Sequence, residues 1–167
     1  SSHGVQSQEW VADNWSALVG NRNNTNLQLF DHKQYPQKSV ILEITGTHTP
    51  DEIIVIGGHG DSIAGWYPSE STKAPGADDN ASGIATITEV IRILSATEFK
   101  PKKTIQFISY AAEEVGLRGS NDIATTYYNK GVNVKGVLQL DMTNYTKRDH
   151  EIVLMTDYTN QQQNKFL

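Results

Sequence analysis

One histidine and a handful of carboxylates stand at four separate places in this chain. His59 and Asp61 follow the β-branched run Ile53-Ile54-Val55-Ile56, and Asp78-Asp79 lies just ahead of an apolar helical pattern. Glu113-Glu114 follows the run Thr104–Ala111, and Asp141 follows Val134–Leu140. An imidazole with several carboxylates is a ligand set for zinc, and equally for Mn²⁺ or Co²⁺. A shared carboxylate can bridge two such ions about 3.5–4 Å apart. Glu113 and Glu114 are adjacent, so their side chains can point in different directions. One can bind metal while the other takes a proton from a water that metal has acidified. Asp61, two residues after His59, can accept the other ring N–H and fix the imidazole tautomer.

Each piece also has a bland reading. A lone histidine at a strand end is more often structural, and Asp78-Asp79-Asn80 suits a helix N-terminus. Glu113-Glu114 fits a solvated pair and Asp141 a turn. Their convergence is harder to explain blandly, because clustered carboxylates repel one another unless a cation neutralises them.

These residues need elements that bring them together. Ser7 is placed as a helix cap, with Glu9 in the first turn and Val11, Trp15 and Leu18 on one face. Residues 1–6 read as a loose end. Leu27–Phe30 and Ser39–Thr45 read as strands that form an antiparallel edge. Thr49-Pro50-Asp51 reads as a turn, and Ile53–Ile56 as a central strand buried on both faces. Residues 60–80 hold no periodic pattern and read as a long loop. Ile84, Ile87, Ile91 and Leu94 mark a helix, Thr104–Ala111 a strand, and Ser120 the cap of a further helix that Gly131 ends. Val134–Leu140 and Glu151–Met155 read as strands. The alternation predicts an α/β domain with a mainly parallel mixed sheet flanked by helices. In such sheets ligands sit outside the carboxyl ends of the strands, where all four acidic or histidine segments fall.

Bulk composition narrows the classes. Of 167 residues 37% are hydrophobic and 20% charged, enough apolar material for one core. A net charge of −5 argues against nucleic acid or an anionic membrane as partner. No cysteine is present, so neither a disulfide nor a thiolate zinc site can form. No apolar run reaches the ~20 residues that span a membrane. The start, Ser1-Ser2-His3-Gly4, has no signal-peptide pattern, so an export signal is expected to have been removed or to lie outside these residues.

Four segments, VIGGHGDS (55–62), APGADDNASG (74–83), YAAEEVGLRGS (110–120) and LQLDMTNY (138–145), resemble the M28 family of metallopeptidases. Within it they closely resemble the secreted bacterial leucyl aminopeptidases of the Vibrio and Aeromonas type. The likeness runs from about Ser7 onward. It implies a zinc-exopeptidase fold of the phosphorylase/hydrolase type and an enzyme that releases hydrophobic, Leu-like residues from peptides with a free N-terminus, outside the cell. It implies roles too: His59 and Asp141 as ligands of one metal, Asp79 as the bridge, Glu114 as a ligand of the other, Glu113 as general base and later acid, and Asp61 as the partner of His59. It further implies a cis peptide at Asp79–Asn80. Met142 either touches the substrate pocket or belongs to the core.

Two departures from the family pattern shape the expectations. Gly60 stands where relatives carry a bulkier residue, and glycine is expected to loosen the His59 loop. The family's last ligand is a histidine well downstream of Asp141; His150, nine residues on, is too close to match. Residues 1–167 are therefore read as one partial catalytic domain, cut at both ends, with one complete zinc site of the two and weak or no activity by itself. The C-terminal segment, as a separate chain, is read as a candidate partner. Alternatives on the same fold are another M28-type hydrolase such as a carboxypeptidase, a one-zinc glutaminyl cyclase, and a non-catalytic ectodomain of the transferrin-receptor kind.

Overall fold

The computed structural model describes residues 2–65, 72–144 and 152–167. The elements run α1 (Ser2–Val19), β1 (Thr25–Phe30), β2 (Ser39–Ile44), β3 (Thr49–His59), α2 (Ala81–Ala96), β4 (Lys103–Tyr110), α3 (Arg118–Asn129), β5 (Asn133–Gln139) and α4 (Gln161–Phe166). The strands form one sheet in the order β1-β2-β4-β3-β5. β3 lies parallel to both β4 and β5, while β1 and β2 run antiparallel at one edge. The expected α/β class and antiparallel edge are both present.

Alternation along the strands sends apolar side chains to two cores. Val40, Leu42, Ile44 and Phe107 face α1 and α2, meeting Val11, Trp15, Ile84, Ile87 and Ile91. Ile41, Val55, Ile108 and Tyr110 face the other way and meet Ile123 of α3. The sheet is thus a middle layer, and its central strands carry continuous apolar runs because both faces are covered. Trp15 is fully buried, and its Nε1 donates to Thr88 Oγ1 at 2.9 Å. Burial of this ring supplies apolar area and its one polar atom is satisfied, so Trp15→Ala removes about 3–5 kcal/mol.

Several boundaries differ from the sequence reading. α1 starts at Ser2, not Ser7, because the Ser7 hydroxyl does not cap: it donates back to Gly4 O at 2.9 Å and across to Gly60 O at 3.2 Å. The expected turn at Thr49-Pro50-Asp51 is the first part of β3, with a register irregularity between Thr49 and Ile53 that accommodates the proline. α3 starts at Arg118 behind Leu117, which sits at φ +56°, and Ser120 lies inside the first turn with its hydroxyl on Leu117 O. Glu113 O fixes that start by accepting Gly116 N and Leu117 N. The expected strand Glu151–Met155 is not present: Glu151 lies outside the described residues, and Ile152–Met155 are exposed and pair with nothing in the sheet. α4 lacks apolar periodicity and was not foreseen; Asn160 Oδ1 caps it by accepting Gln162 N and Gln163 N.

Registry puts the strand ends level. His59 of β3 stands beside Tyr110 of β4, and Gly57 beside Gln139 of β5. The turns that follow β3, β4 and β5 therefore open on the same edge of the sheet as the N-terminus of α2.

Candidate metal centre

The β3 run delivers His59 to that edge with its ring 1% exposed. Nδ1 lies 2.9 Å from the main-chain oxygen of Asp61. A carbonyl oxygen only accepts, so Nδ1 carries a proton and Nε2 is the ring nitrogen left to bind a metal once it gives up its own. Asp61 is thus the partner of the ring, as the sequence reading held, but through its backbone; its carboxylate is 3.7 Å from Nδ1. That carboxylate instead receives Glu113 N at 3.0 Å on one oxygen and Glu114 N at 3.2 Å on the other. Asp61 therefore ties the turn after β3 to the turn after β4.

Nε2 faces acids. Asp79 Oδ1 lies at 3.0 Å, Asp141 Oδ1 at 3.7 Å and Glu113 Oε2 at 3.8 Å. Two groups have ligand atoms all within 4.8 Å of one another: His59, Asp79 and Glu114, and His59, Glu113 and Asp141. The sequence reading had joined Asp79 and Asp141 around one ion and left Glu113 free; here Glu113 shares a group with Asp141. Glu114 Oε1 also receives Ile63 N at 3.4 Å.

Asn80 fixes where Asp79 and Asp141 stand. It is 1% exposed and caps α2, with Oδ1 accepting Gly83 N at 3.1 Å and Met142 N at 3.2 Å, while Nδ2 donates to Leu140 O at 2.9 Å. Ser82 Oγ accepts Thr143 N, and Asp78 Oδ1 accepts Asn144 N. The α2 N-terminus and the turn after β5 are laced side by side. The Asp79–Asn80 peptide is cis, as the resemblance implied.

The electrostatics follow from burial and crowding. Burial alone would lower the His59 pKa, but the Asp61 carboxylate beside Nδ1 and the charges of Glu113 and Asp141 outweigh it and push the value up to about 9. Burial, with the charges of Asp141, Asp61 and Asp79, holds Glu113 above the usual carboxylate range against the pull of His59. Glu114 is raised by burial and by Asp79 and Glu113. Asp141 is raised by burial and by Asp79 and Asp78. Such a set holds protons or a cation. An imidazole nitrogen that can release its proton, with carboxylate oxygens around it, is the donor chemistry of a divalent transition metal, so the residues fit one.

The remaining expectations fall as follows. Met142 has its backbone in the lacing, φ +50°, and a side chain that is about half exposed. Gly60 is not loose: its N–H donates to Tyr110 O at 2.9 Å. His150 lies outside the described residues. Sequence reasoning placed Asn80 in a helix cap but missed its bonds to the turn after β5, and it missed the other braces behind the site: Gln8, and Gln37 and Ser39, whose side-chain oxygens accept Ala112 N and Ala111 N just ahead of Glu113. Only the Asn80 brace had a local signal, its place three residues before Gly83 at a helix start.

Known proteins resemble this chain in both sequence and fold. Leucine aminopeptidase 1 of Arthroderma gypseum is 40% identical over 155 residues, covering 88% of this chain and 40% of that protein. The structure of LapB from Legionella pneumophila matches with TM-score 0.77 and 34% identity, over 89% of this chain and 39% of that one. A zinc aminopeptidase from Bacillus subtilis matches with TM-score 0.55 and 26% identity, over 66% of this chain and 25% of that one. The chain spans about two fifths of the length of the curated relatives it matches. The family model for peptidase family M28 matches residues 39–167, the stretch that holds His59, Asp61, Asp79, Glu113, Glu114 and Asp141, and the chain belongs to that family.

Proposed function

We propose that the whole protein is a zinc-dependent aminopeptidase that removes Leu-like residues from peptides with a free N-terminus. The observation that carries this reading is His59 Nε2 facing Asp79, Asp141 and Glu113 at 3.0–3.8 Å at the carboxyl ends of the parallel strands. Names of relatives add leucine and zinc to it. His59, Asp79, Glu114 and Asp141 would hold the metal, as two zinc ions. Bound zinc would polarise the scissile carbonyl and acidify the attacking water. Glu113 would take the proton from that water and hand it to the leaving amine; its raised pKa suits a group that must both accept and return a proton. The crowded carboxylates give the substrate's ammonium group a complementary charge. The resemblance also carries the proposal that the protein works outside the cell.

Glu113→Ala in the full-length protein is expected to retain zinc while kcat falls about 10²–10⁴-fold. Near-normal kcat would remove Glu113 from its role. A peptide panel separates the alternatives: release only from free N-termini supports an aminopeptidase. Cleavage at the C-terminus, or cyclisation of N-terminal glutamine, would overturn it.

A further inference from the structure

We propose that Gln8 is a positioning residue for the metal centre, and that it stands in for the side chain that Gly60 lacks. The inference rests on the metal-site reading above. Gln8 belongs to α1, ahead of the stretch matched by the family model. It is 1% exposed, and its amide reaches the ends of the strands that carry the site. Nε2 donates to Tyr110 O at 3.1 Å and to Ser109 O at 3.3 Å, and Oε1 accepts Ser109 Oγ at 2.7 Å. Tyr110 O also accepts Gly60 N at 2.9 Å. One turn of helix thus binds the last residues of β4 to the first residue after His59. The neighbouring Ser7 hydroxyl, on Gly60 O, holds the same residue through its following peptide.

The space at position 60 is already occupied. A Cβ built there would lie 2.7 Å from Ser109 Oγ, 2.9 Å from Gln8 Nε2 and 3.0 Å from Gln8 Oε1. Each of those is the end of a flexible side chain, but Ser109 Oγ donates to Gln8 Oε1 and Nε2 of the same amide donates to Ser109 O and Tyr110 O, so none can yield alone. Where a chain carries a larger residue at position 60, that residue and a glutamine at position 8 compete for one volume. Here the amide fills it and adds three directed bonds that an apolar side chain would not make. The turn carrying His59 and Asp61, and the strand end leading to Glu113 and Glu114, are thereby fixed relative to each other. A displacement of these loops separates His59 from Glu113 and releases Asp61 from the two N–H groups it accepts.

The test is an exchange of volume. Gly60→Leu, Gln8→Ala and the double variant are compared with the unaltered chain, each checked for folding by circular dichroism. The readouts are Co²⁺ affinity and the visible absorption band of the bound cobalt. Each single change is expected to weaken Co²⁺ about tenfold and shift the band, because contacting residues couple strongly. The double variant, with leucine in place of the amide, is expected to return to within about threefold of the unaltered affinity. If the singles do not fold, recovery of folding and cobalt binding by the double variant is the expected result. Folded singles that bind cobalt normally, or penalties that add in the double variant, would overturn the inference and leave the metal site standing. An unaltered chain that binds no cobalt would overturn both.

Discussion

His59, Asp61, Glu113, Glu114 and Asp141 stand where an apolar strand stops, and Asp79 stands where an apolar helix begins. Ile53–Ile56, Thr104–Ala111 and Val134–Leu140 are unmistakable, and the acids after them had only to share an edge. What stayed hidden was which atom of a residue does the work. Asp61 was read as a carboxylate on an imidazole, yet it gives its main-chain oxygen to His59 and its carboxylate to Glu113 N and Glu114 N. Residue types show the partner, whereas only the turn geometry shows the atom. The same residues set a pH dependence. His59, Glu113, Glu114 and Asp141 all hold their protons more tightly in the folded chain than their ordinary values. A group with a raised folded pKa contributes stability that is complete below its unfolded value and is lost as pH rises through the folded one. For His59 that window runs from 6.5 to about 9; the three acids begin to lose theirs above the usual carboxylate range. The chelated protein is therefore expected to melt at lower temperature at about pH 9 than at about pH 6. Zinc is expected to reverse the trend, since its ligands must be deprotonated. A chelated Tm that climbs steadily across the same range would contradict this.

At the scale of elements, period and punctuation found the strands and α2 but misjudged how helices begin. α1 and α3 start without the side-chain caps that Ser7 and Ser120 seemed to offer, because both hydroxyls bond back into their own first turn or across to a loop. Back-bonding to a carbonyl three residues earlier, joined at Ser7 by a contact with Gly60, takes the place of capping there. Braces between elements were invisible for a simpler reason: Gln8 and Ser109 are about a hundred positions apart, and no pattern within either segment points to the other. The α2 start shows what such a brace contributes. Asn80→Ala removes a helix cap and two hydrogen bonds to the turn after β5. The expected loss is about 1–3 kcal/mol, read as a lower urea midpoint, with a weaker metal site because Asp79 and Asp141 are no longer held together. An unchanged midpoint would show that the lacing is incidental.

At the scale of the molecule, a three-layer α/β fold places four distant segments on one edge of a sheet, and membership of peptidase family M28 fits that placement. The chain spans about two fifths of the length of the curated relatives it matches, and the metal site proposed above can be tested on these residues directly. The decisive measurement is zinc titration of the purified, chelator-treated chain by calorimetry in buffers of differing ionisation heat. The account predicts tight zinc binding with proton release, abolished by Asp79→Ala in a variant that remains folded. A chain that is folded by circular dichroism and binds no zinc, or binds it equally well without Asp79, would contradict the account.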